Sequence, residues 1–352
     1  MAIDPDFWMR RRVLITGHTG FKGAWLSLWL QSLGAELTGL APGPPTQPSL
    51  YEVAEVASAM REHAVDVRDA QAVEATMREC APEVVLHLAA QPMVRRSLRD
   101  PAMTYEVNVM GTVHVLEAAR RLGGQVRAVV VVTSDKSYEN DGLAARPFTE
   151  GDRLGGDDPY SSSKACAELV AGAYRRSYFA ERGSPSLATA RAGNVIGGGD
   201  WGEDRLLPDV VRAVEAGDPL RVRNPDSVRP WQHVLNPLSG YLRLAELLSR
   251  GEGARAWNFG PPEAEARPVS WIVERLGELW GGTLRWELDR SPNPPEAGRL
   301  RIDSSDAERQ LGWRPAWTLE QGLELLVDWH LAQRRGEDMR SVSLEQIGRF
   351  PA

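Results

Sequence analysis

The sequence predicts an α/β fold: a doubly wound parallel sheet with a smaller mixed α/β lobe toward the C-terminus. Three observations predict it. Short apolar runs alternate with amphipathic helical stretches through the first two-thirds of the chain, as in strands joined by helical crossovers. A turn carrying three spaced glycines separates the first apolar run from the first helix. Beyond about Gly193, glycine, proline and arginine become frequent and the helical stretches shorten.

The elements follow in order. Arg12–Thr16 is the first strand, and Phe21–Leu33 has helical periodicity, with Trp25 and Trp29 one turn apart as core residues. Further strands are expected at Glu36–Leu40, His63–Val65, Val84–Leu88, Ala128–Thr133 and Ser186–Arg191. Helices are expected at Ala70–Cys80, Pro101–Leu122 and Tyr160–Arg176. Pro42–Pro48 reads as a loop after the second strand. Later come helices at Leu207–Ala216, Pro237–Leu248, Ser270–Trp280 and Leu319–Arg335, and a strand at Ala256–Phe259. The division expected is 1–192 for the first domain and 193–352 mainly for the second, with some late elements returning to the sheet.

Composition narrows the function. The chain has 352 residues, 42% hydrophobic and 25% charged, with 41 Lys and Arg against 48 Asp and Glu, for a net charge of -7. A mildly acidic surface argues against nucleic acid or an anionic membrane as the main partner. Cys80 and Cys166 lack metal-ligand spacing and fit a reducing compartment, so neither a metal site nor a disulfide is expected. Met1–Arg12 lacks the apolar stretch of a secretion signal. There is no apolar run of about 18 residues to span a membrane, so a cytoplasmic location is expected.

Gly17-His18-Thr19-Gly20-Phe21-Lys22-Gly23 follows the first strand and opens the first helix. Glycines at this spacing allow a tight turn, close approach of a pyrophosphate and close helix–strand packing, and the helix N-terminus offers N–H donors to phosphates. A dinucleotide site is expected here. The second strand ends Gly39-Leu40-Ala41-Pro42, without the acid that often holds the adenosine ribose. These residues leave NAD and NADP open. Asp66-Val67 either faces the adenine or, for Asp66, caps a helix.

Tyr160 and Lys164 stand four apart, on one face of a helix. An ammonium beside a phenol favours the phenolate, a base for a sugar hydroxyl; the alternative is a surface pair. Thr133-Ser134-Asp135-Lys136 follows a strand end, where open α/β sheets place ligands. A hydroxyl, a carboxyl and an amine there supply an orienting group, an acid and a base, or else form a solvated polar turn.

At these residues the chain resembles the extended short-chain dehydrogenase/reductase family, over nearly its whole length. The resemblance rests on Gly17–Gly23, Leu88-Ala89-Ala90, Asn108, Ser134, Tyr160 and Lys164. It implies a Rossmann domain that binds NAD and a C-terminal domain for a nucleotide sugar. The NAD contacts it implies are Gly17, Thr19, Gly20, Phe21, Lys22, Gly23, Leu88, Ala89, Ala90, Asn108, Thr133, Tyr160 and Lys164, with Asp66 and Val67 toward the adenine.

Within that family the chain is similar to sugar-nucleotide 4,6-dehydratases acting on cytidine diphosphate sugars. The strings are Gly17–Gly23, Gln91-Pro92-Met93-Val94-Arg95, Ser134-Asp135-Lys136 and Arg191–Trp201. Ser137 departs from the pattern, since many such relatives carry Cys there. The resemblance implies catalysis by Ser134, Asp135, Lys136, Tyr160 and Lys164, and substrate contacts from Gln91, Arg95, Asn194, Arg205, Arg229 and Arg299. It also implies a homodimer, or a tetramer, through the helices near Pro101–Leu122 and Tyr160–Arg176. His233 reads as a structural histidine. The competing expectations are a nucleotide-sugar 4-epimerase, a dehydratase for dTDP-, UDP- or GDP-sugars, and a non-catalytic dinucleotide sensor.

Overall fold

The computed structural model describes residues 3–140, 146–181, 183–282, 284–291 and 298–351. Seven strands build one sheet: β1 (Arg12–Thr16), β2 (Glu36–Leu40), β3 (Arg61–His63), β4 (Val84–His87), β5 (Ala128–Val132), β6 (Ser186–Ala192) and β7 (Ala256–Phe259). Their order is β7-β6-β5-β4-β1-β2-β3, and every pairing is parallel. The order turns back between β1 and β4. That switch opens a crevice at the strands' C-terminal ends, where such sheets bind ligands.

β5 reads Ala-Val-Val-Val-Val and is buried on both faces, the signature of a strand covered by helices on both sides. Each such valine contributes roughly 1.5–3 kcal/mol by leaving water. On one side pack α1 (Phe21–Ser32), α6 (Leu235–Leu248) and α9 (Met339–Arg349). α2 (Ala70–Cys80), α3 (Gly111–Leu122) and α4 (Pro159–Ser177) lie on the other. Trp25 and Trp29 are core residues, and Trp25 donates from Nε1 to the carbonyl of Gly198 at 3.0 Å. α6 is buried along its whole length, and β7 pairs with β6, so two late segments complete the sheet's layers. The remaining lobe packs α5 (Leu206–Ala216), α7 (Val269–Leu279) and α8 (Leu319–Arg334) around Trp231, with short strand pairs between.

Two elements differ from expectation. β3 occupies Arg61–His63 and not His63–Val65, because register with β2 (Thr38 opposite Arg61, Leu40 opposite His63) decides it. As an edge strand it exposes Arg61 and Glu62 and carries no apolar signal. The helix expected over Pro101–Leu122 is broken into Pro101–Tyr105, a π-helical turn at Glu106–Met110, and α3. The extra residue of a π turn re-aims side chains, often at functional positions, and here Asn108 is turned into the interior.

Candidate active site

The glycine turn closes β1 onto α1. Gly17 sits at φ +74°, and a Cβ on it would lie 2.8 Å from the Ala89 backbone. On Gly23 a Cβ would lie 2.1 Å from the Gly17 carbonyl oxygen. Both positions exclude side chains. α1 begins at Gly20 with no side-chain cap, so its first N–H groups are left for an anion at the positive end of the helix dipole. Phe21 and Lys22 form that first turn. These features fit the diphosphate of a dinucleotide.

Leu88, Ala89 and Ala90 run on past β4 across from this turn, partly exposed to the crevice. The Leu88 and Ala89 N–H groups are tied to Thr16 at 3.1 Å each. The Thr19 hydroxyl donates to the Gly43 carbonyl at 2.7 Å and shapes the loop after β2. His18 Nε2 lies 2.7 Å from Glu62, the nearest acid on β3. Asp66 accepts from the Arg68 backbone at 2.9 Å and pairs with its guanidinium at 2.8 Å. The cap of α2 is Asp69, so capping is not the role of Asp66. Val67 is buried against the start of α3.

Three expected ligand residues are engaged inside the protein. Gln91 gives its amide N–H groups to Met93 O and Thr104 Oγ1, at 3.0 Å each, and accepts from Met93 N at 2.7 Å. Asn108 accepts from Gln91 N at 2.8 Å and donates to Gln91 O at 3.1 Å and to Ser163 Oγ at 2.8 Å. The Thr133 hydroxyl donates to Glu168. Gln91 and Asn108 therefore lock the loop after β4 onto α4, one residue before Lys164.

α4 starts sharply. Pro159 is its first residue, and the Asp158 carboxylate accepts from Ser161 N at 2.9 Å. Tyr160 and Lys164 thus share a face, both buried. Lys164 donates to the Val132 carbonyl at 3.3 Å, which leads it to the end of β5. Burial pushes the Tyr160 phenol up to about 12; the Ser134 hydroxyl opposes that and the Asp135 charge adds to it. Burial pushes Lys164 down to about 8, helped by Lys22 and opposed by Glu168. In the chain alone, burial holds the Tyr160 phenol in its neutral form.

Ser134, Asp135, Lys136 and Ser137 form a single tight turn. Ser134 Oγ donates to Asp135 Oδ1 at 2.9 Å and accepts from Lys136 N at 3.2 Å, and Ser137 Oγ donates to Ser134 O at 2.7 Å. Asp135 is 3% exposed, and its Oδ2 has no partner. Burial raises its pKa against the pull of Ser134, Lys136, Arg229 and Lys22, so the carboxyl keeps its proton to a higher pH than a free one. Lys136 is half-buried beside it.

The sequence did not reveal three features of this centre. Lys22, expected at the cofactor, lies close enough to Asp135 and Arg205 to feel both, and burial holds it near 8. The Tyr241 hydroxyl on α6 is buried without a partner, and Lys22 Nζ is 6.0 Å from its ring centre. Arg191 and Glu168, each side chain 3% exposed, pair at 2.8 Å. Glu168 accepts from Thr133 and Thr189, and Arg191 donates to Tyr138 Oη at 2.8 Å. The pair therefore grips the residues on both sides of the Ser134–Ser137 turn. The only sequence signal was a Glu one helical turn beyond Lys164.

The remaining candidates ring the opening. Arg205 precedes α5, pairs with Asp200 at 2.9 Å and stands near Tyr160. Arg229 is buried, reaches the Val228 carbonyl at 3.0 Å and lowers the pKa of Asp135. Arg95 pairs with Asp204 at 3.4 Å. Arg299 is exposed, and its carbonyl accepts from Asn140 at 3.0 Å. Asn194 fixes the crossover by accepting Gln232 N at its carbonyl, at 3.1 Å. His233 is fully buried and lies edge-on to Trp25 and Trp317. Among the described residues no group of three His, Cys, Asp or Glu is arranged to hold a metal, and no helix is long and apolar enough to cross a membrane.

Comparison with known proteins agrees with this geometry. Residues 13–260 match the model of the NAD dependent epimerase/dehydratase family. The chain is 48% identical to a CDP-glucose 4,6-dehydratase of Salmonella typhimurium, over 99% of this chain and 98% of that protein. A UDP-glucose 4-epimerase of Thermus thermophilus, solved in complex with NAD, superposes with a TM-score of 0.78 at 25% identity, covering 90% of this chain and 98% of that one. A dTDP-glucose 4,6-dehydratase of Streptomyces venezuelae, solved with NAD bound, has the same fold, with a TM-score of 0.78 at 24% identity, covering 94% and 99%.

Proposed function

This chain belongs to the NAD dependent epimerase/dehydratase family, and on that premise we propose that it is a sugar-nucleotide 4,6-dehydratase converting CDP-glucose to CDP-4-keto-6-deoxyglucose and water. One observation supports dehydration over epimerisation. Asp135 is a buried carboxyl whose pKa burial raises, with an oxygen left without a partner, set in one turn with Lys136. A 4-epimerase needs only the Tyr160 end of the site; expelling water needs an acid and a base besides.

NAD, which the Gly17–Gly23 turn and the α1 N-terminus would hold, would supply the reversible hydride acceptor that oxidation at C4 and reduction at C6 require. Tyr160 Oη takes the C4 hydroxyl proton, with Ser134 Oγ beside it to stabilise the phenolate. Its pKa of about 12 must fall for this, and positive charge brought beside the phenol would lower it. The C4 carbonyl acidifies C5–H. Lys136 Nζ removes that proton while the Asp135 carboxyl protonates the departing C6 hydroxyl; Lys136 then returns the proton to C5 as C6 is reduced, and the proton Tyr160 took from the C4 hydroxyl makes good the one Asp135 gave up. Lys164 holds the strand end through Val132 and adds positive charge near the phenolate. Gln91, Asn108 and Thr133 position the loops, and Arg95, Arg205, Arg229, Arg299 and Asn194 hold the nucleotide sugar.

We further place the protein in the cytoplasm, where its two free thiols stay reduced, as a homodimer. Leu98, Tyr105, Met110, Leu169 and Tyr178 are large apolar side chains exposed on or next to the helices from Val94 to Met110 and α4. Such a stripe suits a self-complementary helical interface. Sedimentation of the wild type and of a Leu169→Glu variant tests it: a monomeric wild type refutes the dimer.

Purified protein incubated separately with CDP-glucose and with dTDP-, UDP- and GDP-sugars, then weighed by mass spectrometry, tests the activity. Loss of one water from CDP-glucose alone is expected. Loss from another nucleotide sugar keeps the mechanism and overturns the cytidine assignment. A diastereomer of unchanged mass overturns dehydration.

A further inference from the structure

A cavity of about 380 Å³ opens between α4, the end of β6 and the start of β7. Ser134, Asp135, Lys136, Tyr160 and Lys164 take no part in its wall. The wall carries four guanidinium groups, Arg175, Arg176, Arg191 and Arg255, against two carboxylates, Glu150 and Glu168. Those carboxylates are already engaged: Glu168 pairs with Arg191, and Glu150 accepts from Asn258 N at 2.9 Å. Arg255 pairs with Asp306 at 2.6 Å. Arg175 and Arg176 have no acid within ion-pair distance among the described residues.

Three buried N–H groups of this wall lack any acceptor: Arg175 Nη1, Arg191 Nε and Arg255 Nε. Buried donors are nearly always satisfied, so three orphans around one cavity mark a missing acceptor. Arg191 is 3% exposed and already uses Nη1 and Nη2, which leaves Nε as its one N–H without an acceptor, on a residue that lines the cavity. The guanidiniums also crowd one another. A point one bond from Gly172 Cα lies 3.3 Å from Arg176 Nη1 and 3.9 Å from Arg175 Nη2. Burial, with the like charges of Arg176 and Arg191, lowers the basicity of Arg175 against the opposing pull of Glu168. The absent side chain at Gly172 keeps the space open.

We propose that this cavity binds a compact phosphate-class anion, free or carried on a small metabolite, between Arg175, Arg176 and Nε of Arg191. Planar guanidinium donors at several angles suit the oxygens of such a group, and the volume lies in the range of small-ligand sites. The anion adds an acceptor without displacing Glu168. It acts on the catalytic centre through Arg191, whose partners Tyr138 and Glu168 grip the Ser134–Ser137 turn.

Calorimetric titration of the whole NAD-loaded protein tests this, with inorganic pyrophosphate in one arm and ribose 5-phosphate in the other. Pyrophosphate binding should weaken about tenfold or more in Arg175→Gln and in Arg176→Gln, each charge-assisted contact being worth at least that, and stay unchanged in Arg229→Gln. Tighter binding of ribose 5-phosphate identifies an organic phosphate as the ligand class; tighter pyrophosphate identifies a free anion. Arg176 is exposed at the rim, so its variant reports even where Arg175→Gln does not fold. Binding lost only in Arg229→Gln belongs to the substrate pocket and overturns the proposal. So does an absence of binding to the wild type.

Discussion

Glu168→Gln tests the clamp behind the catalytic turn. The substitution keeps size and shape and removes one charge opposite Arg191. Both side chains are 3% exposed and 2.8 Å apart, so solvent cannot replace the lost partner. Breaking a buried pair from one side costs about 3–5 kcal/mol, because the surviving charge is left unpaired. At about 1.4 °C per kcal/mol for a chain of this length, the melting midpoint should fall by roughly 4–7 °C. The same carboxylate accepts from Thr133 and Thr189, so the turn carrying Asp135 also loosens. A misplacement of ~1 Å lowers kcat by as much as ~100-fold. The assay is a double-mutant cycle with Arg191→Met, read by thermal unfolding and by product formation. The double variant should recover much of the stability, since no charge is then left buried. If Glu168→Gln melts within about 1 kcal/mol of the parent, the pair is not the clamp argued here.

Asp135→Asn should lower kcat about 10²–10⁴-fold, the usual worth of a general acid. It should keep or raise the melting midpoint, because burial already favours the neutral carboxyl; a kcat within tenfold of the parent refutes its role. Lys22 titrates near 8 in the folded protein against 10.5 for the free side chain, so between those values the unfolded chain holds more protons and stability rises with pH. Melting curves of cofactor-free protein across that window should show a rise that Lys22→Met lacks, and equal slopes would refute the shift. Gly23→Ala puts a methyl 2.1 Å from the Gly17 carbonyl. Overpacking of about 1–3 kcal/mol should weaken NAD binding by roughly tenfold to a hundredfold, read by fluorescence titration.

Local patterns in the sequence carried the parallel sheet, the glycine turn and the Tyr160–Lys164 face. Each depends on residues close together: an apolar run for β5, glycines where a backbone must approach, an i,i+4 pair on one helix. The loop residues were legible as candidates but not in their roles. Gln91, Asn108 and Thr133 have groups that suit a ligand, and only packing shows that those groups are used up within the chain.

What the sequence determined by itself was the order of strands and helices and the chemical types gathered at the strand ends. Tertiary structure decided the rest. Whether Tyr160 is a ready base or Asp135 a held acid depends on burial, and burial is set by elements distant in the chain. Tyr241 and Arg229 reach Asp135 from α6 and the second lobe; Glu168 meets Arg191 from 23 positions away. Charge interactions strengthen as water is excluded, and no stretch of sequence records how much water its fold will exclude.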